Sequence, residues 1–450
     1  ADKLAASVNG QLFTDSELIE TVVNIVEYPI VLMGEFEKKY LNLPKEVLIS
    51  VMKNHQKYFP VYKNGSDDLL PYFIFVCGTK VKDNKVVIKG NERVLRARLN
   101  DAEFFWNEDI KNPLGNNLEK LKSMVFLSEI GNYYEKTKRL EMLSEQLSIL
   151  CGKEKIKDDL KRAAALSKAD LVSQMVFEFP ELQGTMGKYY AKESGEKEAV
   201  AKAIEEHYMP TGRDGNLPKT EIGALLSITD KIDNICSCFK ANLKPTGSAD
   251  PYALRRQSIG IIQIVLDKKL NFSLKLLVEK ANVIDFISER FKNLMLDEGY
   301  TNNVIDSVLS TGFDNIFDSY NKMKAVEKFR KQKDFDELAV AFKRVVNIAK
   351  DKPKAKLDIR LFKDKSETNL YKSFSDIKDK TDKYFENKGL TTETDFLNAL
   401  NLIKTLKEPI DNFFDNVMVM DKDETLKNNR LALLNEIKTL FFQISDFSKI

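Results

Sequence analysis

The sequence predicts a multidomain chain that is mainly α-helical and carries an α/β body at its N-terminus. Its 450 residues suffice for about three domains of ordinary size. Short, aromatic-rich apolar runs bounded by Pro and Gly fall before residue 115, whereas helical spacing of apolar residues dominates after it. We therefore assign residues 1–115 to the α/β body, residues 116–310 to a helical domain and residues 311–450 to a second helical domain.

The elements of the α/β body are predicted from capping and turn residues. Thr14 and Glu17 form a predicted capping box that opens a helix running to Val26. Pro44 is predicted to lie near the first position of another helix. This second helix covers LPKEVLISVMKNHQKYF, strands are predicted at YPIVLMG and LPYFIFVCGT, and a further short strand at KVVIKG ends at Gly90.

The rest of the chain has helical periodicity without a repeat of fixed length. Turn signals interrupt residues 116–310 at FPELQG, MPTGRDGNLP and LKPTGSADP. A Lys-rich stretch around DKPKAKLDIR interrupts residues 311–450.

Composition excludes several classes of protein. The 70 basic and 68 acidic residues leave a net charge of +2, so no global excess attracts DNA or a membrane, and any polyanion site must be local. The 4 cysteines are too few for a disulfide framework, and no apolar window is long enough to span a bilayer. These features predict a soluble cytoplasmic protein with neither a DNA nor a membrane partner.

The sequence also lacks the common signatures of resident metals and nucleotides. It contains only 2 histidines, His55 and His207, which excludes a three-His metal site. Cys236 and Cys238 do not form a CxxC pair, and the Gly184–Lys188 segment is too short between its glycines for a P-loop. We therefore expect no metal and no cofactor bound by this chain itself.

Arginine is concentrated in two short windows, although the chain prefers lysine. Only 13 of its 70 basic residues are Arg. Arg, as a planar, bidentate donor, is favoured where phosphate or carboxylate is recognised. The alternative for the first window is pairing along one helix, Glu92 with Arg96 and Arg98 with Asp101. The five arginines of the two windows are Arg93, Arg96, Arg98, Arg255 and Arg256.

The second arginine window is predicted to begin a helix. Asp250 has the character of an N-cap and Pro251 that of the first helical residue. The small residues Thr246–Ser248 would place free amides near that helix start, an arrangement typical of an anion site. A simple capped helix with one paired arginine is the alternative.

These windows belong to an ordered series of blocks that covers nearly the whole chain. The blocks are LPKEVLISVMKNHQKYFPV, GNERVLRARLNDAEFFWNEDIKNPL, MVFEFPELQGTMGKYYA, AIEEHYMPTGRDGNLPKT, KPTGSADPYALRR and FFDNVMVMDKDETLKNNRLALLNEIKTLFFQISDFSKI. The series resembles one family, the bacterial glycyl-tRNA synthetase β subunit, but the further N-terminal region usual in the family is absent from these 450 residues.

The resemblance implies a role in a heterotetrameric (α2β2) glycine–tRNA ligase. In such an enzyme the α subunit carries the class II catalytic core that activates glycine with ATP and Mg. The β subunit binds tRNA(Gly) and is required for aminoacylation. By this resemblance the chain has no catalytic residue of its own, and its partners are the α subunit and tRNA(Gly).

The resemblance also implies an HD-like middle domain. The positions that would correspond to HD ligands are Asp170, His207, Asp230 and Asp233. A single His without a His-Asp dyad leaves too few ligands for a conventional metal site, so we interpret this site as degenerate. An HD-type phosphohydrolase is kept as an alternative.

The C-terminal block resembles a DALR-type helical anticodon-binding domain. Residues 321–360 hold 13 Lys and Arg against 6 Asp and Glu, which gives a local attraction for polyanions. Unstacked anticodon bases are recognised by stacking and edge hydrogen bonds, which favours Arg and Asn over mobile Lys as specificity residues. The candidates for tRNA contact are Lys343, Arg344, Asn347 and Arg430, the last on an apolar helix expected to pack behind the other three.

Two other classes of protein share part of this pattern. A class I arginyl-type synthetase would share the DALR-like end, but no HIGH or KMSKS sequence occurs. A non-catalytic helical scaffold or RNA-binding protein would explain the helices and caps, but not the clustered arginines.

Overall fold

The computed structural model describes residues 1–80, 82–278, 281–333, 335–349, 356–385 and 390–450, which divide into two units. Unit 1 is Ala1–Ser148, Glu154–Pro210 and Asn216–Asp233, and unit 2 is Ile149–Lys153, Thr211–Gly215 and Asn234–Ile450. The predicted boundary after residue 115 falls inside unit 1, and the division into three domains stays a prediction.

Unit 1 begins with a four-stranded antiparallel sheet. Its strands, β1 (Gly10–Gln11), β2 (Ile30–Glu35), β3 (Phe59–Lys63) and β4 (Leu69–Cys77), lie in the order β1-β3-β4-β2. In the register of β2 with β4, Ile30 lies opposite Cys77 and Glu35 opposite Tyr72. The two strands predicted from YPIVLMG and LPYFIFVCGT are therefore confirmed, and they are neighbours. A separate hairpin pairs β5 (Val125–Leu127) with β6 (Gly131–Asn132).

The remaining elements of unit 1 are helices, the longest of which packs beside the sheet. The Tyr58 hydroxyl donates to Asn91 Oδ1 over 2.6 Å, and Leu95 and Leu99 are fully buried. Asn91, Leu95 and Leu99 lie on this longest helix. The helices are α1 (Asp2–Ser7), α2 (Ser16–Ile25), α3 (Lys45–Ser50, continued by a π-helical turn Val51–His55), α4 (Asn84–Asp109), α5 (Tyr133–Leu150), α6 (Lys157–Leu166), α7 (Gln174–Glu178), α8 (Thr185–Glu193), α9 (Glu198–Glu206) and the part of α10 (Glu221–Lys240) up to Asp233.

The strand predicted at KVVIKG is wrong, because this segment is the first part of α4. Asp83 caps the helix through a carboxylate that accepts the Lys85 amide over 2.9 Å. The run of β-branched residues has no neighbouring strand to pair with, and Val86 is exposed. Once a helix is nucleated, each added residue gains a hydrogen bond, so the capped start outweighs local strand propensity.

The predicted capping box of Thr14 and Glu17 is wrong, because a different residue caps this helix. The helix begins at Ser16, and Asp15 Oδ1 accepts the Leu18 amide over 3.0 Å, whereas Thr14 lies outside the helix. A carboxylate is favoured at this position because it satisfies a free amide and also interacts well with the positive end of the helix dipole.

Unit 2 is helical over its described residues, as the periodicity predicts. Phe342 on α15 packs against Phe441 on α19 with ring centroids 4.4 Å apart. Among the described residues of both units, no helix is long and apolar enough to cross a membrane. The helices of unit 2 after α10 are α11 (Leu254–Lys268), α12 (Ala281–Asp297), α13 (Asn302–Leu309), α14 (Ile316–Arg330), α15 (Phe335–Ile348), α16 (Lys365–Phe385), α17 (Glu393–Lys404), α18 (Lys407–Asn416) and α19 (Glu424–Phe442).

Candidate nucleic-acid interface and buried ion network

The three arginines of the first window lie exposed on α4. Arg96 Nε lies 3.3 Å from Glu37 Oε1, and Arg98 NH1 lies 3.8 Å from Glu178 Oε1. Arg93 forms no ion pair with any described residue. The alternative of pairing along the helix is therefore wrong, because both pairs reach other elements. Exposed pairs at these distances contribute little to stability, so phosphate can compete for these guanidinium groups.

The second window differs from its prediction at the start of the helix. Helix α11 begins at Leu254 rather than at Pro251, and the Asp250 carboxylate accepts the amides of Leu254 and Arg255 over 2.8 and 2.9 Å. The predicted anion site is therefore already occupied by a side-chain anion of the chain itself. Arg256 is exposed and unpaired within the described residues, so it remains the better candidate for tRNA contact in this window.

Arg255 itself stabilises the turn before α11. Its NH2 group donates to the Gly247 carbonyl oxygen over 2.8 Å. The Thr246 and Ala249 amides are also occupied, because each donates to the other residue's carbonyl, over 3.1 and 2.9 Å. The free amides predicted for this turn are thus in part already hydrogen-bonded.

Two of the HD-like positions, Asp230 and Asp233, are buried in an ion network of unit 1. Lys136 Nζ lies 3.0 Å from Asp230 Oδ1 and 2.8 Å from Asp233 Oδ2. Arg139 Nε reaches Asp233 Oδ1 over 2.6 Å, and Lys168 Nζ lies 3.2 Å from Asp230 Oδ1. Each carboxylate therefore contacts two cationic groups.

The other two HD-like positions, His207 and Asp170, have different bonding partners from this pair of carboxylates. His207 is buried, and its Nε2 lies 2.7 Å from Lys168 Nζ while its Nδ1 lies 2.6 Å from the Ile204 carbonyl oxygen. A neutral ring that accepts from Lys168 at Nε2 and donates from Nδ1 satisfies both contacts. Asp170 Oδ2 accepts the amides of Gly184 and Gly187 over 2.6 and 3.1 Å, so Asp170 caps the start of α8.

Burial and charge shift the pKa values of these groups in opposite directions. Burial lowers the pKa of Lys168 to about 8 and holds that of His207 well below its usual value. Burial alone would raise the pKa of Asp230, but Lys136 and Lys168 hold it below the usual range. Burial raises the pKa of Asp170 to about 6. The carboxylates of the network are therefore ionised and His207 is neutral at pH 7.

The network is arranged as a structural cluster rather than as a metal centre. Within the described residues, no three His, Cys, Asp or Glu side chains are placed to hold a metal ion. An HD-type phosphohydrolase needs its carboxylates and imidazoles as metal ligands, whereas these groups are bonded to lysines, an arginine and backbone amides. The expectation that no metal is bound stays a prediction.

The anticodon-reading candidates on α15 share an exposed face. Lys343, Arg344 and Asn347 are exposed, while Phe342 and Val345 on the opposite face are buried. The Arg344 guanidinium carbon lies 4.1 Å above the centroid of the Phe414 ring of α18. This stacking fixes a guanidinium plane at the surface, where its outer face can receive an unstacked base.

Arg430 is not available to RNA in this structure, so its candidacy for tRNA contact is wrong. Its side chain is 8% exposed, and its Nε lies 2.9 Å from Glu367 Oε1. Its NH1 group lies 2.7 Å from Asp421 Oδ2 and donates to the Met418 carbonyl oxygen over 3.1 Å. A buried guanidinium requires such partners, and they leave it no reach into solvent.

The positive charge of residues 321–360 is partly neutralised. Four of its described lysines form ion pairs, with Asp318, Glu327 or Glu393 as acceptors. Residues 334 and 350–355, which include part of the Lys-rich stretch, lie outside the described residues. The four paired lysines are Lys322, Lys324, Lys328 and Lys331.

Sequence reasoning missed Lys136, Arg139 and Lys168, the cations of the network. They are far from their acid partners along the chain, and only the fold brings them together. One signal was present: Lys136 precedes Leu140 by four residues and so lies on the apolar face of α5. A lysine on a core face indicates a buried acidic partner.

The sequence matches two family models. The family model described as glycyl-tRNA synthetase beta subunit matches residues 1–310. The chain belongs to the glycyl-tRNA synthetase β-subunit family. A second model, the DALR anticodon binding domain, matches residues 338–446. The candidates Lys343, Arg344 and Asn347 fall within this second match.

Curated members of the family cover the whole chain. The glycine–tRNA ligase beta subunits of Syntrophotalea carbinolica and Geotalea daltonii are each 43% identical over all of it. That of Geotalea uraniireducens is 44% identical. The chain spans 66–67% of the length of these relatives. The family placement makes the chain part of an aminoacyl-tRNA synthetase, and the predicted resemblance is confirmed.

Proposed function

We propose that this chain is the tRNA-handling subunit of a cytoplasmic, heterotetrameric (α2β2) glycine–tRNA ligase. It binds tRNA(Gly), while the α subunit activates glycine with ATP and Mg. The chain itself holds no cofactor and supplies no catalytic residue. The name of the family implies a partner subunit and a tRNA substrate, and the α2β2 stoichiometry is part of the proposal.

One observation carries the proposal: the exposed face of α15 within the region matched as an anticodon binding domain. The Arg344 guanidinium is stacked 4.1 Å above Phe414, and Lys343 and Asn347 share its face. The planar guanidinium of Arg344 can stack on a base, the Lys343 ammonium attracts phosphate, and the Asn347 amide can hydrogen-bond to a base edge. A helical scaffold without RNA would have no need for this combination.

The buried network supports the absence of catalysis in this chain. Asp230 and Asp233 are paired with lysines and an arginine, and Lys168 lies 2.7 Å from the His207 ring. A general base directs a free lone pair at its substrate and a metal ligand directs one at the metal. Here the carboxylates accept from cationic side chains, and the His207 ring accepts from Lys168.

The proposal is tested by pyrophosphate exchange and glycylation with and without a purified α subunit. The isolated chain should give neither glycine-dependent exchange nor charged tRNA, and the complex should give both. Exchange by this chain alone would contradict the division of labour. Binding of tRNA should weaken linearly with salt in a log-log plot, whereas no binding at low salt would favour the scaffold alternative.

A further inference from the structure

Helix α7 of unit 1 is short but firmly held. The Asp109 carboxylate at the end of α4 accepts the amides of Gln174 and Met175, each over 3.0 Å. Ser173 Oγ accepts the Val176 amide over 3.3 Å, and the Met175 side chain is fully buried. The backbone that leads to Phe177 is therefore held in place by side-chain hydrogen bonds.

Phe177 nevertheless points into solvent. Its side chain is 85% exposed, more than any other large apolar side chain among the described residues. Leaving a Phe ring in water forgoes the stabilisation that its burial would give. A rigid turn that holds the ring outward gains nothing for folding, and it leaves the face of the ring accessible to a ligand.

A cavity of about 390 Å³ lies beside the ring. Phe105 of α4, Leu171 and Val172 give it apolar walls, and Gln174 and Glu178 give it polar groups. The Gln174 side chain is exposed, and its amide offers both a donor and an acceptor. An apolar pocket with a few convergent polar groups is typical of a site for a small planar ligand group.

Positive charge lies along the same face of α4. Arg98 precedes Phe105 by seven residues, which places both side chains on one face about 10 Å apart along the helix. Its NH1 group contacts Glu178 Oε1 at 3.8 Å, which is too long for a strong hydrogen bond. A phosphate next to a base in the cavity can therefore compete with Glu178 for the Arg98 guanidinium.

We propose that this cavity binds one unpaired nucleobase of the tRNA, which stacks on Phe177 and meets the Gln174 amide at its edge. Arg98 holds the neighbouring phosphate. Aromatic stacking with an adjacent arginine is the usual way in which proteins hold unpaired nucleotides. The proposal rests on the proposed function, because it names a subsite for the same substrate, formed by residues of unit 1.

The test separates stacking from ordinary apolar contact. Equilibrium binding of tRNA(Gly) to the complex of this chain with the α subunit is measured for Phe177→Leu and Phe177→Trp at one fixed salt concentration. Leu keeps the apolar surface but has no ring, so binding should weaken by about 5- to 150-fold. Trp keeps the ring, so binding should remain within about twofold of the unsubstituted complex.

Two further measurements complete the experiment. Phe13→Leu is the matched control, since Phe13 is also an exposed aromatic side chain, at 48%, and lies outside this cavity. A tRNA with 2-aminopurine at one unpaired position at a time should show quenched fluorescence at a single position, and Phe177→Leu should remove that quenching.

The outcomes are distinguishable. If the unsubstituted complex binds no tRNA, the proposed function fails together with this inference. If the complex binds tRNA and Phe177→Leu binds as tightly, the inference alone is wrong. If Phe177→Leu and Phe177→Trp both bind tRNA normally but Phe177→Asp prevents assembly with the α subunit, the surface is a protein interface instead.

Discussion

Replacing Lys136 by Met should strongly destabilise unit 1. The substitution removes a cation whose Nζ lies 3.0 Å from Asp230 Oδ1 and 2.8 Å from Asp233 Oδ2, in a side chain that is 2% exposed. Breaking a buried ion pair on one side costs about 3–5 kcal/mol, because an uncompensated charge remains. Each carboxylate keeps one other cation, Lys168 or Arg139, so we expect about 3 kcal/mol, at the lower end of that range.

The assay is urea unfolding followed by circular dichroism, with Lys138→Met as the control. Lys138 belongs to the same helix and pairs with Glu141 over 2.8 Å, but it is 49% exposed, so its loss should cost less than about 1 kcal/mol. Adding Asp233→Asn to Lys136→Met should recover part of the lost stability, because it removes the extra negative charge. Equal unfolding midpoints for the two single variants would refute the reasoning.

The stability difference between this variant and the parent should also depend on pH. In the parent, nearby cations hold the pKa values of Asp230 and Asp233 below the ordinary value of 3.8. The unfolded chain then binds more protons in acid, so this stabilisation is present above about pH 4 and is lost as the pH falls. Without Lys136 the folded pKa values rise towards or above the unfolded value, so the variant has little of this stabilisation left to lose in acid. The difference in the free energy of unfolding between parent and variant should therefore be largest near pH 7 and smaller below about pH 4. A difference that stays the same across this range would show that Lys136 does not set these pKa values.

Three further predictions concern binding. The double substitution Arg93→Ala and Arg96→Ala should weaken binding of tRNA or of the α subunit. It should leave the thermal unfolding midpoint nearly unchanged, since both side chains are exposed. A double variant that unfolds more easily but binds normally when folded would contradict this. Arg344→Ala and Asn347→Ala should each reduce discrimination between tRNAs with altered anticodons by roughly 1–3 kcal/mol in glycylation by the complex, and unchanged discrimination in both would exclude α15 as the reader. Elemental analysis after dialysis should find no stoichiometric transition metal, and one zinc or manganese per chain that is lost in Asp233→Ala would overturn the degenerate-site interpretation.

Local signals predicted much of the fold, because they act over a few residues. The apolar runs around Ile30 and Ile74 are neighbouring strands, as predicted. The segments with helical periodicity after residue 116 are helices, but the short hairpin of β5 and β6 was not predicted. The error at KVVIKG arose where two local signals conflicted. Its β-branched residues favour a strand, but the Asp83 cap and the apolar positions Leu95 and Leu99 extend one helix across it.

The buried network could not be predicted in the same way. Lys136 and Asp233 are 97 residues apart, and no spacing rule joins them. The acidic residues were found because a family pattern marks them, whereas their cationic partners have no such mark. Sequence reasoning therefore identified the buried carboxylates but missed the lysines and the arginine that neutralise them.

Helical phase separates the arginines that can meet RNA from those that cannot. Arg430 follows Leu426 by four residues and precedes Leu433 by three, so it lies on the buried face of α19 and must be paired. Arg344 directly precedes the buried Val345 but itself lies on the exposed face of α15. Arg93 lies two residues before the buried Leu95 and is likewise on the exposed face of α4. An arginine on the buried face of a helix needs a buried acidic partner, as Arg430 has in Glu367. An arginine on the opposite, exposed face can bind phosphate or a base. The burial seen in the structure therefore excludes Arg430 and retains Arg93 and Arg344, which are the side chains that the binding experiments should change first.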